Sequence, residues 1–225
     1  MIASQTTECS CKHIVSVSLG SSERNAKSTL QLKGQTFIIE RLGTDGNLQK
    51  ARQLLEELDG RVDALGLGGT DLYVYAGGRR YTFRESAKLI ENVKNTPVLD
   101  GSGLKNSLER ILINRLAADK IIDFQGKKVL MVCGVDRFGM AEALVANGAD
   151  VTFGDLIFGL NWDHPIKSLQ TLDSFAKLLA PLLTKLPVRW FYPMGAKQSQ
   201  RKPQHQGYFL AVSYTHLTLP TTPYV

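Results

Sequence analysis

Gly126-Lys-Lys-Val-Leu-Met-Val-Cys-Gly-Val-Asp-Arg-Phe-Gly139, running on through residues 140–153 to Gly154-Asp155, is the stretch that decides the fold. Val129 to Val132 is uniformly apolar, as expected of a parallel strand covered on both faces. Gly134 opens a turn, and Ala141, Ala143, Leu144 and Ala146 give the next segment the small, close-packing face of a helix. Gly148 ends that helix, and Val151-Thr-Phe153 is a second strand. The order is that of a dinucleotide-binding βαβ unit. Against the fingerprint G-x-G-x-x-G the turn reads Gly134-x-Asp136-x-x-Gly139, so the outer glycines fall in place and the middle one is an aspartate.

Asp155, sixteen residues past Gly139, falls where a ribose-binding acid belongs. An acid there accepts from a 2′-hydroxyl and repels a 2′-phosphate, which favours NAD over NADP as the cofactor. Asp136 weighs the other way. A carboxylate about 4 Å from a phosphate costs on the order of 1 kcal/mol in water and several at lower effective dielectric. A Cβ at the middle position also obstructs the approach of a pyrophosphate. Arg137, next door, could compensate by contacting phosphate itself.

Outward from this unit, the rest of the chain also alternates strands and helices. His13 to Gly20 reads as a strand entering a loop of Ser21, Ser22 and Arg24, which could cradle an anion or a substrate carboxylate or be a plain turn. Thr29–Lys33 and Thr36–Leu42 around Gly34-Gln35 form a hairpin. Asn47 caps a helix marked by Leu48, Ala51, Leu54, Leu55 and Leu58 and closed by Gly60. Residues 62–71 form another strand ending in glycines, with Asp71 at the mouth of a sheet, where α/β proteins bind ligands. A second hairpin surrounds Gly77-Gly78, and residues 85–94 read as a helix. Thr96 to Asp100 is a short strand, followed by Gly-Ser-Gly and a helix from Leu104 through Leu116. This loop brings Asp100, Ser102, Lys105 and Asn106 within seven residues, and an acid with a lysine is what proton transfer to or from an alcohol wants. A capping acid and a solvent-facing lysine are the structural alternative.

Leu169, Leu172, Phe175, Leu178, Leu179, Leu182, Leu183 and Leu186 form an amphipathic stripe interrupted by Pro181, which serves as core or as a homo-oligomer interface. The expected architecture is therefore α/β in two lobes. Residues 14–106 form an N-terminal lobe on the substrate side, 107–125 a connecting helix, and 126–210 a Rossmann-like unit. That unit has two confident strands, too few for a complete half, and reads as C-terminally truncated.

With 225 residues, 43% hydrophobic and 21% charged, the chain can bury a real core. No apolar run reaches the roughly 18 residues of a membrane span, and the first twelve residues lack the apolar centre of a secretory signal. Three cysteines, two of them in Cys9-Ser-Cys11, give no disulfide framework and only a weak metal signal, so no metal is expected and the location reads as cytoplasmic. Of the net charge of +6, Arg189, Lys197, Arg201 and Lys202 supply four positives, which leaves 27 − 4 = 23 basic against 21 acidic residues. The body is near neutral, and nucleic acid is not expected as a partner. Val212-Ser-Tyr-Thr-His-Leu-Thr-Leu-Pro-Thr-Thr222 resembles a sequencing adapter read in frame, so residues 211–225 are set outside fold reasoning.

Several runs carry a resemblance: Ser16-Val-Ser-Leu-Gly-Ser-Ser22, Gly66-Leu-Gly-Gly69 with Asp71, Asp100-Gly-Ser-Gly-Leu-Lys-Asn106, Val135-Asp-Arg-Phe-Gly-Met-Ala-Glu-Ala-Leu144 and Phe153-Gly-Asp-Leu-Ile-Phe158. In order, they resemble a bacterial family labelled quinate 5-dehydrogenase. The resemblance implies an oxidoreductase with an NAD(P)-binding fold, transferring hydride between NAD(P) and a small hydroxylated acid. The Asn-Val-Thr-x-Pro-x-Lys and Asn-Thr-Asp segments of the better-known shikimate and quinate dehydrogenases do not occur here, so no catalytic residue is carried over by alignment. The residues themselves suggest Lys105 and Asp100 as the proton relay. Gly134, Asp136, Arg137, Gly139 and Asp155 would frame the cofactor, and Ser21, Ser22, Arg24, Asp71 and Asn106 the substrate. The alternatives are a Rossmann-like domain binding a non-dinucleotide ligand such as an adenosyl compound, with Asp136 taking an amine or cation, and a non-catalytic sensor or assembly protein.

Overall fold

A computed structural model describes residues 11–190. The tail from Val212, the late basic cluster at Lys197, Arg201 and Lys202, and Cys9 lie outside the described residues. The protein is α/β and divides into two compact units. The first takes residues up to Val74, Arg80–Ser102 and the stretch from Pro181; the second takes Tyr75–Arg79 and Gly103–Ala180. No helix among the described residues is long and apolar enough to cross a membrane.

The first unit is built on a five-stranded sheet. Its strands are β1 (Lys12–Ser18), β2 (Ala26–Leu32), β3 (Gln35–Gly43), β4 (Ala64–Gly68) and a short β7 (Val98–Leu99), in the order β2-β3-β1-β4-β7. β1 is parallel to both β3 and β4, β4 is parallel to β7, and only β2 runs antiparallel, as the hairpin partner of β3. The alternation of β1 sorts its side chains. Val15 and Val17, with Leu19 just beyond, pack against Leu65 and Leu67 of β4, Ala51 and Leu55 of α1 (Leu48–Leu58) and Leu89 of α2 (Arg84–Leu89). Each such fully buried aliphatic side chain stabilises the fold by about 1.5–3 kcal/mol. α1 begins as the sequence indicates, with Asn47 Oδ1 accepting from the Lys50 amide.

Two expected elements are shorter than their patterns. The helix read over residues 85–94 ends at Leu89, where the chain tightens into turns, the Ile90 amide donating to Ala87 O and the Val93 amide to Ile90 O. Asp59, just past α1, accepts from the backbone N–H groups of Lys94 at 2.8 Å, Asn95 at 2.9 Å and Thr96 at 2.7 Å. The strand read over Thr96–Asp100 is reduced to its two residues in β7.

The parallel strands follow the chain in the order second, first, third, fourth, so the order reverses between β1 and β4. In open α/β sheets that is where a crevice forms. Here it is closed by backbone. The Leu19 amide donates to Gly68 O at 2.9 Å. Gly69, at φ +75°, lies so near that a Cβ would stand 3.3 Å from the Leu19 and Gly20 nitrogens. β5 (Tyr73–Ala76) and β6 (Arg79–Thr82) form the second expected hairpin.

The second unit contains the βαβ stretch. β8 (Lys128–Met131) and β9 (Asp150–Phe153) are parallel in register from Lys128↔Asp150 to Met131↔Phe153, with α5 (Phe138–Ala146) between them in sequence. Beyond β9, among the described residues, the sheet continues only as an isolated antiparallel bridge between Phe153 and Ile166. The helix expected to run unbroken from Leu104 is two: α3 (Ser102–Asn106) and α4 (Leu108–Ala118), interrupted at Ser107. α4 packs along α5, with ion pairs Arg110–Glu142 and Arg137–Glu109 and an Asn147–Asn114 hydrogen bond. α6 (Leu169–Leu183) keeps Pro181 inside it; Leu172, Ala176 and Ala180 are buried, while Leu178 and Leu182 are exposed.

Candidate functional site

The turn after β8 is where the second unit gathers its chemistry. Its backbone N–H groups form a small nest of the kind that binds anions. The nest holds the protein's own anion: Asp155 accepts from the Gly134 and Val135 amides, both at 2.9 Å, and from the Cys133 thiol at 3.5 Å. Asp155 therefore lies at the end of β9, as the spacing requires, with its carboxylate turned back onto the turn. Burial pushes its pKa above the ordinary carboxylate range, against the opposing pull of the two amides. Cys133 moves the same way. Crowding that withdraws its sulfur from water, then the Asp155 and Asp136 carboxylates, push the thiol well up, although the residue as a whole is exposed.

The two glycines of the fingerprint have packing reasons. A Cβ on Gly134 would meet Phe153 at 2.6 Å and Leu172 at 2.8 Å. One on Gly139 would meet the Asn106 carbonyl oxygen at 2.7 Å, so Gly139 lets α5 close on the end of α3. Between them, Asp136 holds Lys105, whose Nζ lies 2.8 and 3.0 Å from its two carboxylate oxygens. Arg137, read as a phosphate contact, pairs with Glu109 on α4. Glu109 escaped the sequence reading, although it stands one helical turn beyond Lys105. Burial raises its pKa, and the Arg137 guanidinium works against that rise.

Two acceptors in this cluster are left without donors. Asn106 Oδ1 and one carboxylate oxygen of Glu109 are buried with no hydrogen-bond partner among the described residues. Buried acceptors of this kind are uncommon and costly, about 1–3 kcal/mol each. A pyrophosphate at this turn would bring a second anion onto amides already bonded to Asp155.

The residues assigned to the N-terminal lobe are placed differently. Asp100 is not free for a relay: it accepts from the Leu72 and Ser102 amides and the Ser102 hydroxyl, which fixes the start of α3. Within the second unit, Lys105 pairs with Asp136. In the loop of Ser21, Ser22 and Arg24, backbone groups and the Ser21 hydroxyl are already engaged. Ser21 Oγ caps the short 3-10 turn by accepting from the Glu23 amide, and the Ser22 amide donates to Asp45. Arg41, unremarked in the sequence, donates to the carbonyls of Ser21 and Arg24 and to Ser18 Oγ. Gly43 admits this loop, since a Cβ there would overlap the Ser21 carbonyl. Asp71 is only 5% exposed, so it stands beneath the surface and not at an open mouth.

Residues 13–100 match a family described as a domain of unknown function (DUF8753), and residues 103–213 match a second, also a domain of unknown function (DUF8754). The break between them falls at the same place as the division of the structure at Ser102 and Gly103. No curated protein and no solved structure matches the chain.

Proposed function

We propose that the second unit binds a nucleoside-type ligand that offers hydrogen-bond donors and carries no pyrophosphate, an adenosyl compound with an amine being the fitting chemistry. The observation that carries this reading is the surplus of acceptors around the β8 turn. Asn106 Oδ1 and a Glu109 oxygen lack donors, and Asp155 keeps lone pairs beyond the two that its amides occupy. Ribose hydroxyls on Asp155 and an ammonium near Glu109 and Asp136 would satisfy them. The anion-binding amides of the turn, which a dinucleotide needs, are already bonded.

A second reading is hydride transfer between NAD and a small hydroxylated acid, which the resemblance to quinate 5-dehydrogenases suggests. Its supporting observation is the Lys105–Asp136 pair, which supplies an acid–base couple and neutralises the aspartate that would otherwise repel phosphate.

Thermal-shift and calorimetric titration of the full chain with S-adenosylmethionine, adenosine, NAD and NADP separates the readings. Stabilisation by the adenosyl ligands, absent in Asp155→Asn, is the expected result. Stabilisation by NAD alone would replace the first reading with the second. No response to any of the four would overturn both.

A further inference from the structure

The hairpin of β2 and β3 carries a feature independent of the ligand site. All seven residues of β2 are exposed. On one side the strand pairs with β3 without a bulge, from Ala26↔Arg41 to Leu32↔Gln35. On the other, among the described residues, it pairs with nothing. Natural edge strands are blunted by proline, bulges, inward charge or shortness. β2 has none of these beyond one lysine, Lys27, near its start, and it presents Leu30 at 47% and Leu32 at 53% exposure.

We propose that this edge joins β2 of a second copy of the chain, antiparallel, about a two-fold axis at Thr29. The hairpin geometry selects the register. Lys33 and Gly34, at φ +51° and +77°, make the two-residue turn, which sets Leu32 and Gln35 as a hydrogen-bonded pair. Main-chain groups then alternate: those of Ala26, Ser28, Leu30 and Leu32 point to β3, and those of Lys27, Thr29 and Gln31 point outward. With the axis at Thr29, each outward residue finds an outward residue. Thr29 meets Thr29, and Lys27 meets Gln31 on both sides, which makes about six N–H···O bonds over the full strand. Moving the axis shortens the overlap.

The side chains agree with that register. On one face a Thr–Thr pair sits between two Lys–Gln pairs, so no like charges are opposed. On the other, Leu30 lies beside Ser28 and Leu32 beside Ala26, large against small, and the leucines of the two copies form one apolar strip. Lys27 stays within reach of its own Glu40, at 3.7 Å. This match of the strand with itself selects a second copy as the occupant, in the two-fold arrangement most common among homo-oligomers.

Sedimentation velocity of the full 225-residue chain over a concentration series is the test. A reversible dimer is expected. Gln31→Lys, which sets two lysines opposite each other twice, is expected to weaken it about tenfold; Gln31→Glu, which sets Glu against Lys27, is expected to tighten it several-fold. Both substitutions are on exposed side chains and leave the melting temperature near that of the parent. Thr29→Pro removes the central outward donor and is expected to leave monomer. A chain that is monomeric throughout overturns the proposal, as does a dimer whose constant ignores the sign of the charge at position 31.

Discussion

Asp59 in the first unit and Asp155 in the second hold backbone in the same manner and titrate in opposite directions. Asp59 gathers the amides of Lys94, Asn95 and Thr96 at the surface, and those bonds draw its pKa down to about 2. Asp155, itself half-buried, gathers the amides of Gly134 and Val135 in more crowded surroundings, and loss of hydration outweighs them, so its pKa rises. Amides favour the charged form in both places, and water decides the sign. A carboxylate at the surface is a clamp. The same carboxylate withdrawn from water is a clamp under tension, and that is the more useful arrangement beside a ligand, which can relieve the tension by donating hydrogen bonds.

The comparison breaks most visibly at Asp155. Asp155→Ala leaves two turn amides without acceptors, and a loss of about 2 kcal/mol in urea-unfolding free energy is expected. Next is Gly139→Ala. Its Cβ would stand 2.7 Å from the Asn106 carbonyl, which forces α5 away from the end of α3 and costs about 1–3 kcal/mol; Gly78→Ala, with open space for a Cβ but φ +74°, is a control for backbone strain alone.

The pH dependence gives the smaller and sharper test. Asp59 has a lowered pKa, so its contribution is complete above the ordinary carboxylate value and is lost as pH falls from about 4 toward about 2. Asp155 has a raised pKa, so ionising it in the fold is unfavourable, and stability declines as pH rises from the ordinary value through the raised one. In urea unfolding followed over pH, Asp59→Asn should flatten only the acidic limb and Asp155→Asn only the limb above it. A single limb answering to both substitutions would mean that the two carboxylates do not differ as described.

The strand–turn–helix–strand order of residues 128–153, both hairpins and the Asn47 cap were legible in the sequence, because each rests on short-range periodicity or turn chemistry. The misread parts share a cause. Asp59 reaches the amides of residues about 35 positions on, beyond the end of α2. Lys105 finds Asp136 across 31 positions. Asp155 stands just past β9, where its spacing puts it, but spacing cannot show that its carboxylate turns back onto Gly134 and Val135. Side-chain-to-backbone bonds over such distances leave no period in a sequence. Glu109 had one readable signal, its place a helical turn from Lys105, but a break at Ser107 in what reads as one helix disguised it.

The central place of β1 also has a consequence for the order in which the first unit assembles. β2 and β3 meet across a two-residue turn, whereas β1 must find β4 with Ile14 opposite Ala64, fifty positions along the chain. Closing the longer loop costs more entropy and rewards it later, so the hairpin forms within microseconds and then offers β3 as a template to β1. In pulse-labelled refolding, the amides of β3 should resist exchange before those of β4 and β7.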